Sequence, residues 1–227
     1  MSAAAIPTPE PAVAAPALAG AEPSSRAVTE LADLVAIFDD GVSVVVLRGA
    51  TSDRVDPAAP WLARDRDARV VVDPAAQVFA GLLPPDARPG DEALLDGLAM
   101  LVDVFASLAE CPRVGVRLAV TGSAMCPRFH VDHVGLRAVV TLLGPGTEWL
   151  DHGDVDRARL GHRAAGAADE CSGLLRPGAT VLRAAPGDLV VMKGTAWPGN
   201  EARGAVHRSP CAGDGRRVVL TFDALDA

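Results

Sequence analysis

The residues whose types and spacing point to chemistry lie in the second half of the chain, in the segment Phe129-His130-Val131-Asp132-His133. On an extended strand, residues two apart share a face, so the side chains of His130 and Asp132 project together while His133 projects the other way. An imidazole and a carboxylate side by side can occupy two adjacent positions on one metal ion. The spacing therefore predicts two ligands of a metal site.

A third ligand must come from elsewhere in the chain, and His207 is the natural candidate. It follows the strand pair that begins at Pro186-Gly-Asp-Leu-Val-Val-Met-Lys-Gly194, in a segment that ends in a turn. Two histidines and one carboxylate leave open coordination positions, which is the arrangement of non-haem Fe(II) oxygenases. The alternative interpretation of a His-x-Asp pair is a hydrogen-bonded surface pair without a metal.

Arg217 lies ten residues after His207, in the strand-like segment Arg217-Val-Val-Leu-Thr221. Strand alternation puts Arg217, Val219 and Thr221 on one face, where a guanidinium and a hydroxyl can jointly receive a carboxylate. We therefore expect Arg217 and Thr221 to hold the far carboxylate of a co-substrate such as 2-oxoglutarate. Arg216 is the rival, because a shift of one residue exchanges the two faces.

Four further side chains are candidates for positions close to the site. Cys126 is either a soft extra ligand, which favours Zn(II) over Fe(II), or a buried thiol before a proline turn. His133 is either a surface group or a hydrogen-bond partner that orients a ligand. Glu148 and Trp149 follow the turn at Gly144-Pro-Gly146 and could line the mouth of the site. For Trp149 the alternative is an aromatic cap on the core.

Hydrophobic periodicity predicts the elements that must position these residues. Apolar residues at spacings of three and four predict a helix over 91–110, and short β-branched segments separated by Gly and Pro predict a β-sandwich or barrel beyond residue 112. We expect one domain over 26–227, with a mainly helical part at 26–111 and a β core at 112–227. Residues 1–25 are predicted to be a disordered Ala/Pro-rich tail, and 151–178 a long insertion or lid.

Composition excludes several classes of protein. The chain has 227 residues, with 29 acidic and 21 basic side chains and a net charge of −8, which argues against nucleic-acid and membrane-surface partners. No apolar run is long enough to span a membrane, and the four cysteines form no CxxC pair. We expect a cytoplasmic protein that acts on an unidentified small-molecule or protein substrate.

Three longer motifs resemble those of a bacterial family, domain of unknown function 1826, over approximately residues 28–223. They are Cys126-Pro-Arg-Phe-His-Val-Asp132, Leu143-Gly-Pro-Gly-Thr-Glu-Trp-Leu150 and His207-Arg-Ser-Pro210. This resemblance implies a shared motif set and a link with bacterial metal (zinc) homeostasis, but no established reaction.

The order His130-x-Asp132, His207 and Arg217-x-x-x-Thr221 more distantly resembles that of Fe(II)/2-oxoglutarate dioxygenases. That resemblance implies an α+β fold with a double-stranded β-helix (jelly-roll or cupin-like) core and N-terminal helices packed on it. Three hypotheses follow. The first is an Fe(II)- and 2-oxoglutarate-dependent oxygenase, the second a non-oxidative Zn(II)-binding protein, and the third an interaction module on a degenerate barrel.

Overall fold

The structure is a computed structural model that describes residues 23–51, 59–85, 93–161, 167–210, 212–213 and 215–226. The strands are β1 (Ser25–Val28), β2 (Val44–Leu47), β3 (Arg66–Val72), β4 (Arg113–Thr121), β5 (Leu136–Leu143), β6 (Glu148–Leu150), β7 (Leu182–Arg183), β8 (Leu189–Lys193), β9 (Val206–Arg208) and β10 (Arg217–Leu225). The described residues contain one α-helix, α1 (Ala93–Ala109), and 3-10 segments at Leu31–Phe38, Pro60–Ala63, His152–Asp154, Arg157–Arg159 and Asp169–Cys171. The fold is mostly β-sheet with few helices.

The strands form two sheets. The large sheet has seven strands in the order β1-β2-β8-β5-β10-β4-β3, and the small sheet has three in the order β7-β6-β9. All pairings are antiparallel except that of β1 with β2. From β5 to β10 the chain passes repeatedly between the sheets, because β6, β7 and β9 belong to the small sheet and the others to the large one.

Helix α1 covers one face of the large sheet. Its apolar residues recur at helical spacing, so they form one stripe, and that stripe packs against alternate residues of the strands. The ring of Phe105 on the helix lies 6.1 Å from that of Phe222 on β10, centroid to centroid. This core also contains Leu98, Leu101 and Val102 of α1, and Val116, Leu118, Val140, Val191 and Leu220 of the strands.

The small sheet covers part of the opposite face. Trp149 on β6 and Ala205 next to β9 pack there on apolar residues of β2, β5, β8 and β10, namely Val44, Val46, Val139, Val190, Met192 and Val219. Neither β3 nor β4 contributes to this second core, and Val71 on β3 remains 57% exposed. The sheets therefore enclose a core at one end and leave an open cleft at the other.

A third apolar cluster lies on the outer face of the small sheet. Leu150 and Val206, whose neighbours in sequence face inward, pack there with Phe129, Val155 and Leu174. Val155 and Leu174 belong to the predicted insertion 151–178, so this segment covers the small sheet from outside.

The predicted secondary structure agrees with the observed one in some segments and differs in others. The helix predicted over 91–110 is present as α1, and the short strands predicted beyond residue 112 are present. Residues 26–111, predicted to be mainly helical, contain α1 and two 3-10 segments but also supply β1, β2 and β3 to the large sheet. These strands pair with β8 and β4, so no boundary at residue 111 separates helices from sheet.

Of the predicted tail, residues 1–25, only 23–25 lie within the described residues. Residues 1–22 lie outside the described residues, but Ser24 is buried and donates a hydrogen bond of 3.0 Å to Asp151, and Ser25 begins β1. Among the described residues, no helix has both the length and the apolarity needed to cross a membrane.

Candidate metal centre and its cavity

The backbone brings His130 and His207 together at the edge of the small sheet. The two residues form an antiparallel bridge in which each N–H donates to the other's carbonyl at 3.0 Å. Residues paired in this way project their side chains to the same side, and the imidazole centroids are 4.5 Å apart. Residues separated by 77 positions in the sequence thus share one site because of strand pairing alone.

Asp132 completes the cluster two residues after His130. One carboxylate oxygen lies 3.6 Å from Nε2 of His130, and the other lies 3.3 Å from Nε2 of His207. Donor atoms of the three residues all lie within 4.8 Å of one another. The structure therefore brings the sequence-predicted triad into an arrangement that can hold a metal ion.

Hydrogen bonds fix the orientation of both imidazoles. Nδ1 of His130 lies 2.9 Å from the carbonyl oxygen of Arg128, and Nδ1 of His207 lies 3.1 Å from that of Ala205. A carbonyl oxygen only accepts, so Nδ1 carries the proton in each ring and Nε2 keeps its lone pair. Both lone pairs are thereby available at the side of Asp132, as metal-binding histidines require.

The backbone of Asp132 is held by the segment that follows β8. Thr195 donates its backbone N–H to the Asp132 carbonyl at 2.9 Å. The approach requires a glycine at position 194, because a Cβ atom there would lie 2.2 Å from the Val134 carbonyl oxygen and 2.8 Å from that of Asp132. Gly194 thus permits the close contact that places the carboxylate ligand.

Arg137 also holds the Asp132 carboxylate. It donates to Asp132 at 2.6 Å, and it binds both oxygens of Asp223, at 2.6 and 3.0 Å. Burial by itself raises the pKa of Asp132, but its contact with His207 and the positive charge of Arg137 hold this pKa well below its usual range. Asp132 is therefore ionised at neutral pH.

The pKa of His130 is lowered, first by burial and then by the neighbouring His207. Both effects disfavour a charged ring. The neutral form of His130, which is the form that binds metal, is consequently favoured at neutral pH.

A cavity of about 400 Å³ opens between the sheets, and His130 and His207 line it. Arg217 lies in its wall and is only 1% exposed. Its guanidinium donates to the Pro145 carbonyl at 2.8 Å and to the hydroxyls of Thr141 and Thr147 at 3.2 and 3.3 Å, and also to the hydroxyl of Ser209. All these acceptors are neutral.

Arg217 makes no ion pair with any described residue. Burial lowers the pKa of Arg217 to about 10, and the negative charge of Glu148 partly offsets this lowering. Because this pKa is still well above 7, the guanidinium is charged at neutral pH. A buried charge without a counter-ion is unfavourable, and such groups usually have an ionic partner. An anion bound in the cavity would supply it.

Arg216, the rival candidate, points elsewhere. It forms an ion pair of 2.8 Å with Asp65 and does not belong to the cavity wall. The strand alternation therefore selects Arg217.

Thr221 lines the same cavity but is not a partner of Arg217. It is four residues along β10, which is roughly 13 Å, so one carboxylate cannot contact both side chains. The hydroxyls around Arg217 belong instead to Ser209, Thr141 and Thr147, which sequence reasoning missed. Only Ser209 gave a signal, because it is two residues after His207 and, in an extended chain, would point to the same side.

The four further candidates are dispersed. Cys126 is exposed and lines the cavity, but it is not part of the metal-ligand cluster. His133 is exposed, and its Nδ1 lies 2.9 Å from the Thr195 hydroxyl, so it contacts a residue that holds the Asp132 backbone. Trp149 is buried between the sheets and lies outside the cavity wall, in agreement with its interpretation as a core residue.

Glu148 does not lie at the mouth of the site. It pairs with Arg208 across the small sheet, on the face opposite to that of Trp149 and His207. Its carboxylate is buried there and binds Arg208 at 2.7 Å and also Arg183. Burial by itself raises the pKa of Glu148, but these hydrogen bonds lower it. Glu148 therefore forms structural ion pairs with Arg183 and Arg208.

The fold and the site together define a mostly β protein with a two-histidine, one-carboxylate cluster that can hold a metal ion. The chain belongs to the family described as Protein of unknown function (DUF1826), whose model matches residues 29–223. No curated protein matches the chain.

Solved structures with similar folds include several dioxygenases. The rice dioxygenase for auxin oxidation is 19% identical, with a TM-score of 0.40 over 71% of this chain, and this chain spans 55% of its length. A Pseudomonas putida prolyl-4-hydroxylase is 12% identical, with a TM-score of 0.45, and the match covers 87% of this chain and all of that one. The Fe(II)/(alpha)ketoglutarate-dependent dioxygenase TqaL is 13% identical, with a TM-score of 0.47, and 86% of each chain is covered.

Proposed function

We propose that this protein is an Fe(II)- and 2-oxoglutarate-dependent oxygenase. His130, Asp132 and His207 hold the metal, and Arg217 binds the far carboxylate of the 2-oxo acid. The observation that carries the proposal is the buried guanidinium of Arg217, which has no ionic partner among the described residues and shares a cavity with the two histidines.

The donor set fits Fe(II). Two imidazole nitrogens and one carboxylate on one side of an ion are the ligands of non-haem Fe(II) oxygenases, and they leave positions for a co-substrate. The fixed Nδ1–H tautomers and the ionised Asp132 present this set without rearrangement of protons. Among the described residues, no cysteine belongs to the cluster, so a thiolate does not favour zinc here.

The surroundings of Arg217 fit a dicarboxylate that reaches from the metal. Ser209 follows β9 directly and is two residues from His207, which is roughly 7 Å in extended chain, and Ser209 contacts the guanidinium. A 2-oxo acid with a second carboxylate has the length to join the two positions. The hydroxyls of Thr141, Thr147 and Ser209 hold the guanidinium in place and can also donate to the carboxylate.

The topology supports the same class of protein. We infer that β4 to β10, with the bridge at His130, form a double-stranded β-helix. The chain passes repeatedly between the large and small sheets, and β10 pairs with both β4 and β5 in the large sheet. The site then lies at the open end of the two sheets, where strand ends from both meet.

Each residue has a defined task in this proposal. When bound, Fe(II) together with the 2-oxo acid and O₂ supplies the oxidising chemistry, coupled to decarboxylation of the 2-oxo acid. The triad fixes the position of the metal, Arg217 neutralises the co-substrate, and Arg137 keeps Asp132 ionised and oriented.

The test is an anaerobic titration of the Fe(II)-loaded protein with 2-oxoglutarate. We expect one metal per chain, a metal-to-ligand charge-transfer band on titration, and succinate formation in air. Replacement of His207 by Ala should remove metal binding, and Arg217→Met should weaken 2-oxoglutarate binding by more than tenfold while metal stoichiometry stays the same. Zinc bound at one equivalent, with no band and no succinate, would favour the non-oxidative alternative and exclude the oxygenase.

A further inference from the structure

The cavity continues beyond the metal centre onto the part of the large sheet that the small sheet leaves uncovered. Arg69 and Val71 of β3 and Arg117 of β4 belong to its wall. In the strand register Arg69 is opposite Arg117, which in turn is opposite Thr221 of β10. These side chains therefore form one continuous surface on the same face as the site.

Basic side chains outnumber acidic ones in the wall of this cavity. Five arginines line the cavity, namely Arg69, Arg117, Arg137, Arg208 and Arg217, but Asp223 is the only acidic residue described in its wall. The chain as a whole has a net charge of −8. Arg137 is neutralised by Asp132 and Asp223, and Arg208 by Glu148 and Glu170.

Arg69 and Arg117 share a single carboxylate. Asp67 accepts two hydrogen bonds of 2.8 Å from Arg117 and two longer ones, of 3.3 and 3.4 Å, from Arg69. The hydrogen bond from Arg117 lowers the pKa of Asp67 to about 2, so Asp67 contributes one full negative charge against two positive ones. The pair keeps one net positive charge at the outer end of the cavity.

This second positive centre is too far from Arg217 to serve the same anion. Arg117 is one strand over from β10 and opposite Thr221, so it lies roughly 13 Å along the strand direction and about 5 Å across it from Arg217. Arg69 is a further strand away. One 2-oxo acid bound between the metal and Arg217 cannot reach either residue.

The wall of the cavity also has apolar side chains. They are Val71, Leu225, Val219 and Met125, and Val71, on the edge strand β3, is 57% exposed. Gly115 is opposite both Val71 and Asp223, and the side chain of Leu225 lies next to it. An apolar ligand can lie on this surface with one end beside the metal.

We propose that the cavity binds a small organic anion with an apolar body, whose carboxylate or phosphate pairs with Arg69 and Arg117. That this anion is the substrate to be oxidised rests on the proposed function, but that the cavity binds it does not. The apolar body lies over Val71 and Leu225, in the same cavity that the histidines line.

Calorimetric titration of the full chain with octanoate, octyl phosphate and octanamide tests this inference. Octanoate and octyl phosphate distinguish a carboxylate from a phosphate, and octanamide is the neutral control. We expect one or both anions to bind at least tenfold more tightly than octanamide. The charge reversal Arg69→Glu should weaken anion binding more than tenfold, and Arg69→Ala should do so in part. Arg159→Glu, an exposed arginine on the far side of the small sheet, should have no effect.

The outcomes separate this inference from the proposed function. Equal binding of octanamide and both anions, or unchanged anion binding in Arg69→Glu, overturns the anion site whatever happens at the metal. Arg217→Met should leave octanoate binding unchanged. If Arg217→Met also leaves 2-oxoglutarate binding unchanged while Arg69→Glu loses the anion, the co-substrate assignment fails and the anion site stands.

Discussion

The carboxylate of Asp132 has two kinds of partner, two imidazoles and one guanidinium. One of its oxygens lies near His130, and the other lies near both His207 and Arg137. Arg137 is in turn bound at two points by Asp223. A rigid guanidinium bound in this way restrains the rotation of Asp132, so the ligand is oriented before any metal arrives.

We predict that Arg137→Gln lowers the affinity for a divalent metal by 10- to 100-fold, the usual range for partners that orient a ligand. The substitution removes the charge and the restraint but leaves all three ligands in place. A Co(II) or Zn(II) titration measures the change, and Arg159→Gln is the control for loss of an arginine. An affinity equal to that of the wild type would show that Arg137 does not position Asp132.

At the scale of elements, strand pairing and one close contact between backbone segments assemble the site. The bridge between His130 and His207 positions the two imidazoles, and the segment after β8 positions Asp132. Gly194 lies where these two backbone segments approach most closely. Its neighbour across the contact, Gly135, has open space around it. The two glycines therefore offer a matched comparison.

We predict that Gly194→Ala destabilises the protein by about 1–3 kcal/mol and weakens metal binding, because the added methyl group pushes the Asp132 backbone away. Gly135→Ala should change neither property by a comparable amount. Urea unfolding gives the free energy of unfolding, and a Co(II) titration reports on the site. Equal effects at both positions would contradict the role given to Gly194.

The elements also show what sequence patterns can and cannot predict. Helix α1 follows from the spacing of Leu98, Leu101 and Phe105, which no other regular element would place on one side. The segment 31–38 has similar spacing but forms a 3-10 helix, with Val35 58% exposed. The spacing of apolar residues indicates which residues share a side of an element. A segment of eight residues has too few repeats of that spacing to distinguish an α-helix from a 3-10 helix.

At the scale of the whole molecule, a half-buried histidine joins the 151–178 segment to the large sheet. His152, in the 151–178 segment, lies 2.8 Å from the hydroxyl of Ser43, next to β2. Ser43 donates to the Arg203 carbonyl, and Arg157 donates to Nδ1 of His152. Only a neutral ring, protonated at Nε2, satisfies all these contacts. Burial, with Arg157 and Arg203 nearby, lowers the pKa of His152 to about 4.

We predict that this histidine makes the protein less stable in mild acid. Because its pKa is lower in the folded than in the unfolded chain, the unfolded chain takes up a proton first as the pH falls. The stabilising contribution is complete above the ordinary histidine pKa and is lost progressively as the pH falls towards about 4.

The measurement is urea unfolding of the wild type and of His152→Gln at about pH 7 and about pH 5. Carboxylates titrate equally in both proteins, so their effects cancel in the comparison. The wild type should lose more stability on acidification than the variant. Identical losses would show that His152 does not contribute to the pH dependence of stability.

Residue types and short spacings predicted a cluster of His130, Asp132 and His207. Its local part follows from the sequence, because His130-x-Asp132 lies on a single extended segment and its two side chains share a side in any pairing. The same alternation put Arg217 and Thr221 on one face but left Arg216 as a rival. It failed for Thr221, because a shared face does not imply proximity along the strand. The sequence by itself therefore determines the chemical groups of the site and which side of its own strand each side chain points to.

Only the tertiary structure decided which distant residues meet. The pairing of His130 with His207, the hydroxyls of Ser209, Thr141 and Thr147 around Arg217, and the assignment of Glu148 to the opposite face all depend on the register between strands. Register is set by the burial of whole faces and by turn geometry. Those are properties of the assembled sheets, so no local pattern in the sequence specifies them.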